Sequence, residues 1–206
     1  MAKEGIPYII LFLVPAAAFA LLGWWVAAFC CLMVAAFMAF FFRDPERECS
    51  TDDRLIISPA DGRVVVVARV EPDRKTSPTQ ISIFLSPMNV HINRAPIAGE
   101  IVEVVYKPGA FHVASRDIAS VENEQNIVTI RGRYVTVVFR QIAGLLARRI
   151  VLWKKQGDHV ALGERVGLMK FSSRMDVIVP DEVEVLVGPG DRVVGGVTAI
   201  GRVRCD

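Results

Sequence analysis

Three features of the sequence could support nucleophilic catalysis: the serine pair Ser172-Ser173, the histidine His91 and the aspartate Asp61. A serine hydroxyl becomes an effective nucleophile when a base such as histidine accepts its proton and a carboxylate orients that base. Each residue also has an ordinary structural interpretation. Serine pairs are common in loops, and Asp61 lies in a Pro-Ala-Asp-Gly turn where its side chain can bind nearby backbone. Taken singly, these residues leave both interpretations open.

The other two histidines and the cysteines do not indicate a metal site. His112 lies in the long irregular stretch 107–125, which is typical of a lid or binding loop, and His159 follows a Gly-Asp turn. The three histidines lack the spacing of metal ligands, and the four cysteines include no Cys-x-x-Cys pair. We therefore expect no bound metal and no disulfide framework.

The elements that must position these residues are short β-branched runs separated by turn residues, a pattern that predicts strands. The runs are 63–70, 80–85, 100–106, 126–130, 134–140, 175–179, 183–187 and 197–203. No βαβ alternation is present, so a doubly wound nucleotide-binding fold is not expected. The sequence predicts a mainly β catalytic domain, a sandwich or a barrel-sandwich-like structure.

A short internal repeat also concerns the architecture. Gly157-Asp158-x-Val160 recurs later in the chain as Gly190-Asp191-x-Val193. In each copy we expect Gly-Asp to make a tight turn and the valine to re-enter a strand. Such pairs are common in barrel-sandwich folds, so the repeat predicts architecture and not chemistry.

The N-terminal part of the chain has a different composition. No charged residue occurs between Glu4 and Arg43, and this interval consists mainly of aliphatic and aromatic residues. A membrane-spanning helix needs about 20 apolar residues, so the interval is too long for one span without extreme tilt. We expect an α-helical hairpin of two short apolar helices, about 7–22 and 25–42. A single tilted helix and a shallow re-entrant hairpin are the alternatives.

The charges suggest how this N-terminal membrane anchor, residues 1–42, is oriented. Lys3 at one end and Arg43 and Arg47 at the other favour the cytoplasmic side for both ends. The whole chain has 24 Lys+Arg, 22 Asp+Glu and a net charge of +2, which excludes a nucleic-acid binder that relies on a large basic excess. We expect a normally charged domain, 43–206, held at the cytoplasmic side of the cell membrane.

Four segments that carry the candidate residues follow one another in a recognisable order. They are Ser-Pro-Ala-Asp-Gly (58–62), the stretch 84–96, Tyr-Lys-Pro-Gly-Ala-Phe (106–111) and the stretch 167–176 around the serine pair. Together they closely resemble the phosphatidylserine decarboxylases, specifically the short bacterial and archaeal form. The resemblance extends from about Arg43 to the C-terminus, and the apolar N-terminal hairpin also suits that family. One of these motifs would be weak evidence, whereas four in order are strong evidence.

The resemblance implies a proenzyme that generates its own cofactor. Ser173 would attack the carbonyl carbon of Ser172 and convert the amide into an ester. β-Elimination would then give a β chain, 1–172, and an α chain, 173–206, whose N-terminus becomes a pyruvoyl group. That group would form a Schiff base with phosphatidylserine and act as an electron sink while CO₂ departs, which leaves phosphatidylethanolamine.

The resemblance also implies roles for the other candidates. His91 and Asp61 would activate the hydroxyl of Ser173, and His91 would later protonate the carbon that loses CO₂. Longer members of the family carry a second histidine where this chain has Arg94. Arg94 is therefore expected to bind the phosphate or carboxylate of the substrate, and Lys107 to attract an anionic lipid.

One departure from the family concerns the cleavage site. The residue before the cleaved serine is usually glycine, and here it is Ser172. Its side chain would crowd the attacked carbonyl and resist a positive φ, and its hydroxyl offers a competing nucleophile. The Arg-x-Asp sequence that follows Ser173 fixes the register and favours Ser173 as the nucleophile.

The expected partners are phosphatidylserine in the membrane and the protein's own cleavage products, held together as a heterodimer that could oligomerise further. The alternative function is that of a membrane-tethered biotinyl or lipoyl carrier. Met169-Lys170 between the two Gly-Asp motifs resembles the hairpin in which such carriers are modified at the lysine. That alternative accounts for residues 154–203 and leaves the Asp61 turn, the His91 stretch and the apolar N-terminus unexplained.

Overall fold

The computed structural model describes residues 1–70, 77–110, 112, 122–144, 150–170 and 173–204. The chain divides into two compact units, Met1–Glu46 and Arg47–Asp206. The first unit is helical and the second is built from strands. A mainly β fold with an N-terminal helical hairpin is therefore confirmed.

The first unit is a pair of apolar helices. A 3₁₀ turn, Lys3–Gly5, leads into α1 (Ile6–Leu21), and α2 (Trp25–Phe41) follows a tight turn at Gly23. Gly23 has φ +76°, a conformation that glycine adopts without strain. The N–H of Ala2 donates to the carbonyl of Phe42 at 2.9 Å, so both ends of the hairpin meet. The single-helix alternative is wrong.

The two helices differ in how well their lengths suit a membrane span. The helical stretch Lys3–Leu21 is long and apolar enough to do so, whereas Trp25–Phe41 is shorter. Large apolar side chains on both helices are exposed, among them Leu11, Trp25 and Val26. An apolar surface of this extent is typical of helices that associate with a membrane.

The second unit consists of antiparallel strands that end at turns rich in Gly, Pro and Asp. The strands are β1 (Leu55–Ile57), β2 (Gly62–Arg69), β3 (Thr79–Leu85), β4 (Ile92–Arg94), β5 (Gly99–Lys107), β6 (Gln125–Arg131), β7 (Thr136–Ile142), β8 (Ile150–Leu152), β9 (His159–Val160), β10 (Arg165–Met169), β11 (Ser173–Val179), β12 (Val183–Val185), β13 (Arg192–Val193) and β14 (Ala199–Val203). In spatial order they form an eight-stranded sheet, β13-β2-β3-β11-β7-β6-β5-β9, and two three-stranded sheets, β4-β10-β8 and β1-β14-β12.

The core follows from the alternation of side chains along these strands. Successive residues point to opposite faces of a strand, so Ile81, Ile83 and Leu85 of β3 share one buried face. Met175, Val177 and Val179 continue that face on β11, the strand paired with β3. Apolar residues of the β4-β10-β8 sheet, including Met169, belong to the same core. The two sheets thus enclose one hydrophobic interior.

The two Gly-Asp motifs have the same local structure. Asp158 accepts a hydrogen bond from the N–H of Lys155 at 2.9 Å, and Asp191 accepts one from the N–H of Gly188 at 2.8 Å. In both copies the glycine has a positive φ, and the following residues form the short strands β9 and β13. The repeat is therefore architectural, as predicted.

Several short strands were not predicted from the sequence. β10 contains Gly167 between Val166 and Leu168, and a glycine weakens a strand pattern. A Cβ atom at Gly167 would overlap the carbonyl oxygen of Val151 on β8. The glycine is thus needed for the close approach of two strands, which is a tertiary requirement that the local sequence does not reveal.

Candidate active site

Ser173, the predicted nucleophile, is the first residue of β11 and lies directly opposite Leu85, the last residue of β3. It is fully buried, and its Oγ has no hydrogen-bond partner among the described residues. Met175 and Val177, two and four residues further on, lie in the core, so Ser173 faces the same interior. A buried hydroxyl without a partner is costly in a stable protein and is often retained for a reaction. Ser172 lies outside the described residues.

His91 lies at the end of the connection from β3 to β4. The N–H of Met169 donates to the carbonyl of His91 at 3.2 Å, which extends the pairing of β10 with β4. The connection from β3 to β4 therefore starts opposite Ser173 and ends opposite Met169. These two residues flank the segment that contains the predicted cleavage site. The sheet topology thus places His91 next to β10, the strand that precedes the predicted cleavage site in the sequence.

The ring of His91 is 2% exposed and its orientation is fixed by a backbone carbonyl. Nδ1 lies 3.0 Å from the carbonyl oxygen of Asn89. Because a carbonyl oxygen only accepts, Nδ1 carries the proton in the neutral ring. Nε2 is then the unprotonated nitrogen of the ring. This is the tautomer that a general base requires.

Asp61 is held by contacts other than the predicted one with His91. Its two carboxylate oxygens accept hydrogen bonds from the guanidinium group of Arg47 at 2.5 and 2.9 Å, and Oδ1 also accepts the N–H of Gly195 at 2.8 Å. The ring of His91 is oriented by Asn89. The N–H of Arg94 nevertheless donates to the carbonyl of Pro59 at 2.8 Å, which ties the Asp61 turn to β4. A catalytic role for Asp61 stays a prediction.

A set of buried amides, which the sequence analysis did not identify, lies between the two sheets. Asn93 shares a face of β4 with His91, and its Oδ1 accepts a hydrogen bond from Nε2 of Gln141 at 2.8 Å. The Oε1 atom of Gln141 accepts one from Asn126 at 3.3 Å. Gln141 lies opposite Met175 of β11. Asn93 is fully buried, and its Nδ2 has no partner among the described residues.

The outer face of β11 holds a buried ion pair. Nε of Arg174 donates to Asp176 at 2.7 Å, and both side chains are almost completely buried. Arg174 also donates to Ser82 at 2.7 Å, and Asp176 accepts from Gln80 at 3.1 Å. These bonds satisfy charges that would otherwise be costly to bury. The Arg-x-Asp sequence after Ser173 thus fixes β11 against β3.

The two predicted substrate-binding residues have different environments. Arg94 is 5% exposed, and its Nη1 donates to the carbonyl of Gly163 at 3.0 Å. Lys107 is exposed at the end of β5. The register of the large sheet, Lys107–Gln125–Ile142–Arg174, places Lys107 at the same end as Ser173.

The turn that receives Arg94 is stabilised by Glu164. This carboxylate forms an ion pair with Lys154 and accepts the N–H of Ala161 at 2.8 Å. Partial burial raises the pKa of Glu164, but the hydrogen bonds from Lys154 and Ala161 outweigh burial and hold the pKa below its ordinary value of 4.5.

The arrangement of β10 and β11 argues against a carrier domain. In the carriers, the modified lysine lies at the tip of a hairpin between two paired strands. Here β10 pairs with β4 and β8, whereas β11 pairs with β3 and β7. Lys170 therefore follows β10, and the next strand, β11, belongs to a different sheet.

Comparisons with known proteins identify the family of the chain. The family model described as "Phosphatidylserine decarboxylase" matches residues 34–201. A phosphatidylserine decarboxylase proenzyme of Solibacter usitatus is 51% identical over 98% of this chain and 96% of its own length. Proenzymes of the same name from Symbiobacterium thermophilum and Syntrophotalea carbinolica are 46% and 44% identical, each over 98% of this chain and 95% of their own length. The chain belongs to the phosphatidylserine decarboxylase family.

Proposed function

We propose that this protein is a phosphatidylserine decarboxylase that activates itself by cleavage between Ser172 and Ser173. The observation that carries the proposal is the buried, unpartnered hydroxyl of Ser173 at the start of a central strand. Relatives named proenzymes supply the family context. The substrate is phosphatidylserine in the membrane, and the products are CO₂ and phosphatidylethanolamine.

The cleavage uses only atoms of the chain and one water molecule. Oγ of Ser173 attacks the carbonyl carbon of Ser172, and the amide C–N bond breaks to leave an ester and a free amine. Loss of the α-proton of residue 173 then breaks the Cβ–Oγ bond and releases the carboxylate of Ser172. The resulting dehydroalanine adds water and loses ammonia, which leaves a pyruvoyl group at position 173.

His91 is the proposed base for the first step. Its Nδ1–H bond to Asn89 leaves Nε2 to accept the proton of Ser173. The turn that carries Asp61 lies against β4, and Asp61 forms an ion pair with Arg47 there. Asp61 is the second proposed contributor. After decarboxylation, Nε2 of His91 returns a proton to the carbon that has lost CO₂.

The residues around position 173 fit a pyruvoyl group. Such a group has neither the N–H nor the O–H donor of a serine residue, and Oγ of Ser173 already lacks a partner among the described residues. When present, the group supplies a ketone carbonyl that reacts with an amine and accepts the electron pair left by CO₂. Asn93 offers its Nδ2–H to the same interior.

The fold explains how a cleaved α chain stays bound. The α chain, 173–206, would contribute β11 to β14. β11 is hydrogen-bonded to β3 on one side and β7 on the other. β14 lies between β1 and β12. Both chains therefore share their sheets and their core, and separation would require global unfolding.

The proposed location is the cytoplasmic side of the cell membrane. The hairpin, with its ends meeting at Ala2 and Phe42, keeps both ends on one side. Lys3 and Arg43 at these ends favour the cytoplasm. A membrane-bound enzyme suits a lipid substrate, because phosphatidylserine leaves the bilayer only at high cost.

Variants at the serine pair test the proposal. Ser173→Ala should remain one chain on denaturing gels, because no hydroxyl attacks the peptide bond. Ser172→Ala is the matched control and should still be cleaved at the same bond. Ser172→Gly, which restores the residue usual in the family, should be processed faster than the wild type. Cleavage of Ser173→Ala at position 172 would show that the assigned nucleophile is wrong.

A further inference from the structure

Two buried polar atoms in the interior between the sheets have no hydrogen-bond partner among the described residues. They are Oγ of Ser173 and Nδ2 of Asn93. The proposed cleavage uses the hydroxyl of Ser173. Asn93 is fully buried, and a buried donor that is left unsatisfied is costly. A ligand that accepts a hydrogen bond from Nδ2 of Asn93 would remove that cost.

The orientation of the Asn93 amide is fixed through Gln141. Nε2 of Gln141 donates to the carbonyl oxygen of Val151 at 3.4 Å and to Oδ1 of Asn93 at 2.8 Å. Because a backbone carbonyl only accepts, the NH₂ group of Gln141 must lie on this side. On the other side, Oε1 of Gln141 accepts a hydrogen bond from Asn126 at 3.3 Å. The oxygen of Asn93 is therefore engaged, and its NH₂ group is the end that can bind a ligand.

Asn93 faces the same interior as Ser173. Its partner Gln141 lies opposite Met175 in the pairing of β7 with β11, and Met175 belongs to the core. Ser173 lies two residues before Met175, so its side chain points to the same face. The backbone of Gln141 is one strand across and two residues along from Ser173, a distance of about 8 Å. A small group held at position 173 can therefore approach the amide of Asn93.

The serine headgroup contains one group that matches a fully buried donor, its α-carboxylate. This group is bonded to the carbon that carries the amine, and its oxygens only accept hydrogen bonds. The ammonium group only donates, so it cannot pair with Nδ2 of Asn93. The phosphodiester accepts hydrogen bonds but is joined to the lipid glycerol, so it is less suited to a donor that is closed off from solvent.

A neutral donor in an apolar interior suits a carboxylate that has to leave as CO₂. The carboxylate loses its negative charge as the C–C bond breaks, so a cation beside it would stabilise the ground state more than the transition state. Asn93 carries no charge, and Met175 and Met169 in this interior are apolar. The next residue, Arg94, points to the other face of β4, where Nη1 donates to the carbonyl of Gly163.

We propose that Asn93 binds the α-carboxylate of the serine headgroup and that Gln141 holds the Asn93 amide with its donor towards the substrate. The inference rests on the proposed function, because it assigns a subsite to that same reaction. Asn93 contacts the substrate, whereas Gln141 acts through Asn93 and is a positioning residue.

The test measures the binding of two soluble headgroups to the processed, full-length enzyme by calorimetry. Glycerophosphoethanolamine has the amine and no carboxylate. The glycerol phosphodiester of 3-hydroxypropionate has the carboxylate and no amine, so the enzyme cannot decarboxylate it. Asn93→Ala should raise the Kd of the carboxylate ligand about tenfold and leave the Kd of glycerophosphoethanolamine unchanged.

The matched control is Asn126→Ala, which removes another amide in contact with Gln141. The bond of Gln141 to Val151 remains, so the donor of Asn93 stays in place and neither Kd should change. Asn93→Leu fills the space of the amide without a donor and should give the same tenfold change as Asn93→Ala.

Gln141→Met tests the positioning role. It removes the hydrogen bonds that orient Asn93 while keeping an apolar side chain of similar size in the core. The Kd of the carboxylate ligand should lie between those of the wild type and Asn93→Ala. If neither Asn93 variant is processed, Gln141→Met decides the test, and an unchanged Kd would then overturn the proposal.

Three further results would overturn the proposal. An equal rise of both Kd values in Asn93→Ala would mean a change of the whole cavity. Two unchanged Kd values would mean that Asn93 does not contact the substrate. A rise in Asn126→Ala as large as that in Asn93→Ala would mean that these amides have only a structural role.

Failure of the proposed function is recognised separately. It would appear as a wild-type protein that is not cleaved and has no decarboxylase activity. Failure of the Asn93 assignment would leave cleavage and activity of the wild type intact and would abolish only the difference between the two ligands.

Discussion

The N–H of Met169 donates to the carbonyl of His91 at 3.2 Å, and this bond places the histidine beside the strand that leads to the serine pair. Ser173 lies opposite Leu85, where the connection that leads to His91 begins. The proposed nucleophile and its proposed base are therefore positioned by two strand pairings. The proposed self-cleavage would thus depend on the register of the sheets.

Replacing Asn93 should slow the chemistry. Its Nδ2 is a buried donor on the same face of β4 as His91, and we expect it to stabilise negative charge on oxygen near position 173. Asn93→Asp should reduce the rate of cleavage by about 100-fold, since one donor to a developing oxyanion contributes about that much. The rate is measured by following the two chains on denaturing gels. The matched control Asn126→Ala also alters the surroundings of Gln141; an equal loss in both variants would contradict a direct role for Asn93.

The Arg47–Asp61 pair should contribute strongly to stability. The side chains are 10% and 14% exposed, so removing one partner leaves a largely buried charge. Arg47→Gln should lower the free energy of unfolding by about 3 kcal/mol, measured by urea denaturation. The exposed pair Arg131–Glu100 is the comparison, and its removal should cost much less, because solvent screens exposed charges. Equal effects at the two pairs would show that burial of Asp61 does not matter.

Gly167 should not tolerate a side chain. A Cβ atom there would overlap the carbonyl of Val151 and approach Nε2 of Gln141 to 3.0 Å. Gly167→Ala should therefore lower the free energy of unfolding by about 2 kcal/mol and disturb the amide that holds Asn93. Gly188→Ala is the control, because a Cβ atom there meets only Asp191, at 4.0 Å. Thermal unfolding that is unchanged in Gly167→Ala would show that β8 and β10 can separate at little cost.

The contribution of Glu164 to stability should depend on pH. The pKa of this carboxyl is below 4.5 in the folded protein, so the unfolded chain takes up the proton first as the pH falls. The stabilisation is complete above the ordinary value and is lost as the pH falls through the folded pKa. Urea titrations between about pH 6 and pH 3 should show a shallower decline in Glu164→Gln than in the wild type. Identical slopes would contradict this role of the Lys154–Glu164 pair.

Much of the architecture was predictable because it depends on local patterns. The uncharged N-terminal interval predicted two helices, and the structure has them at Ile6–Leu21 and Trp25–Phe41. Strands rich in β-branched residues, such as β2 and β3, were also predicted. The shorter strands β4 and β10 were not, because their polar and glycine residues are explained only by what packs against them.

The site was predictable in part. The serine pair and His91 were found through the order of four motifs. The ion pair between Asp61 and Arg47 was not predictable, because Arg47 is distant in sequence and reaches the carboxylate only in the folded chain. Asn93 carried a weak signal, because it is a polar residue two positions after His91.

The most direct test of the central claim is the intact mass of the purified wild-type protein. The account predicts two chains, one of residues 1–172 ending in a free carboxylate, and one of residues 173–206 whose N-terminus lacks an amino group and has the mass of a pyruvoyl residue. A single chain of full mass, or a smaller chain that begins with an ordinary serine, would contradict it.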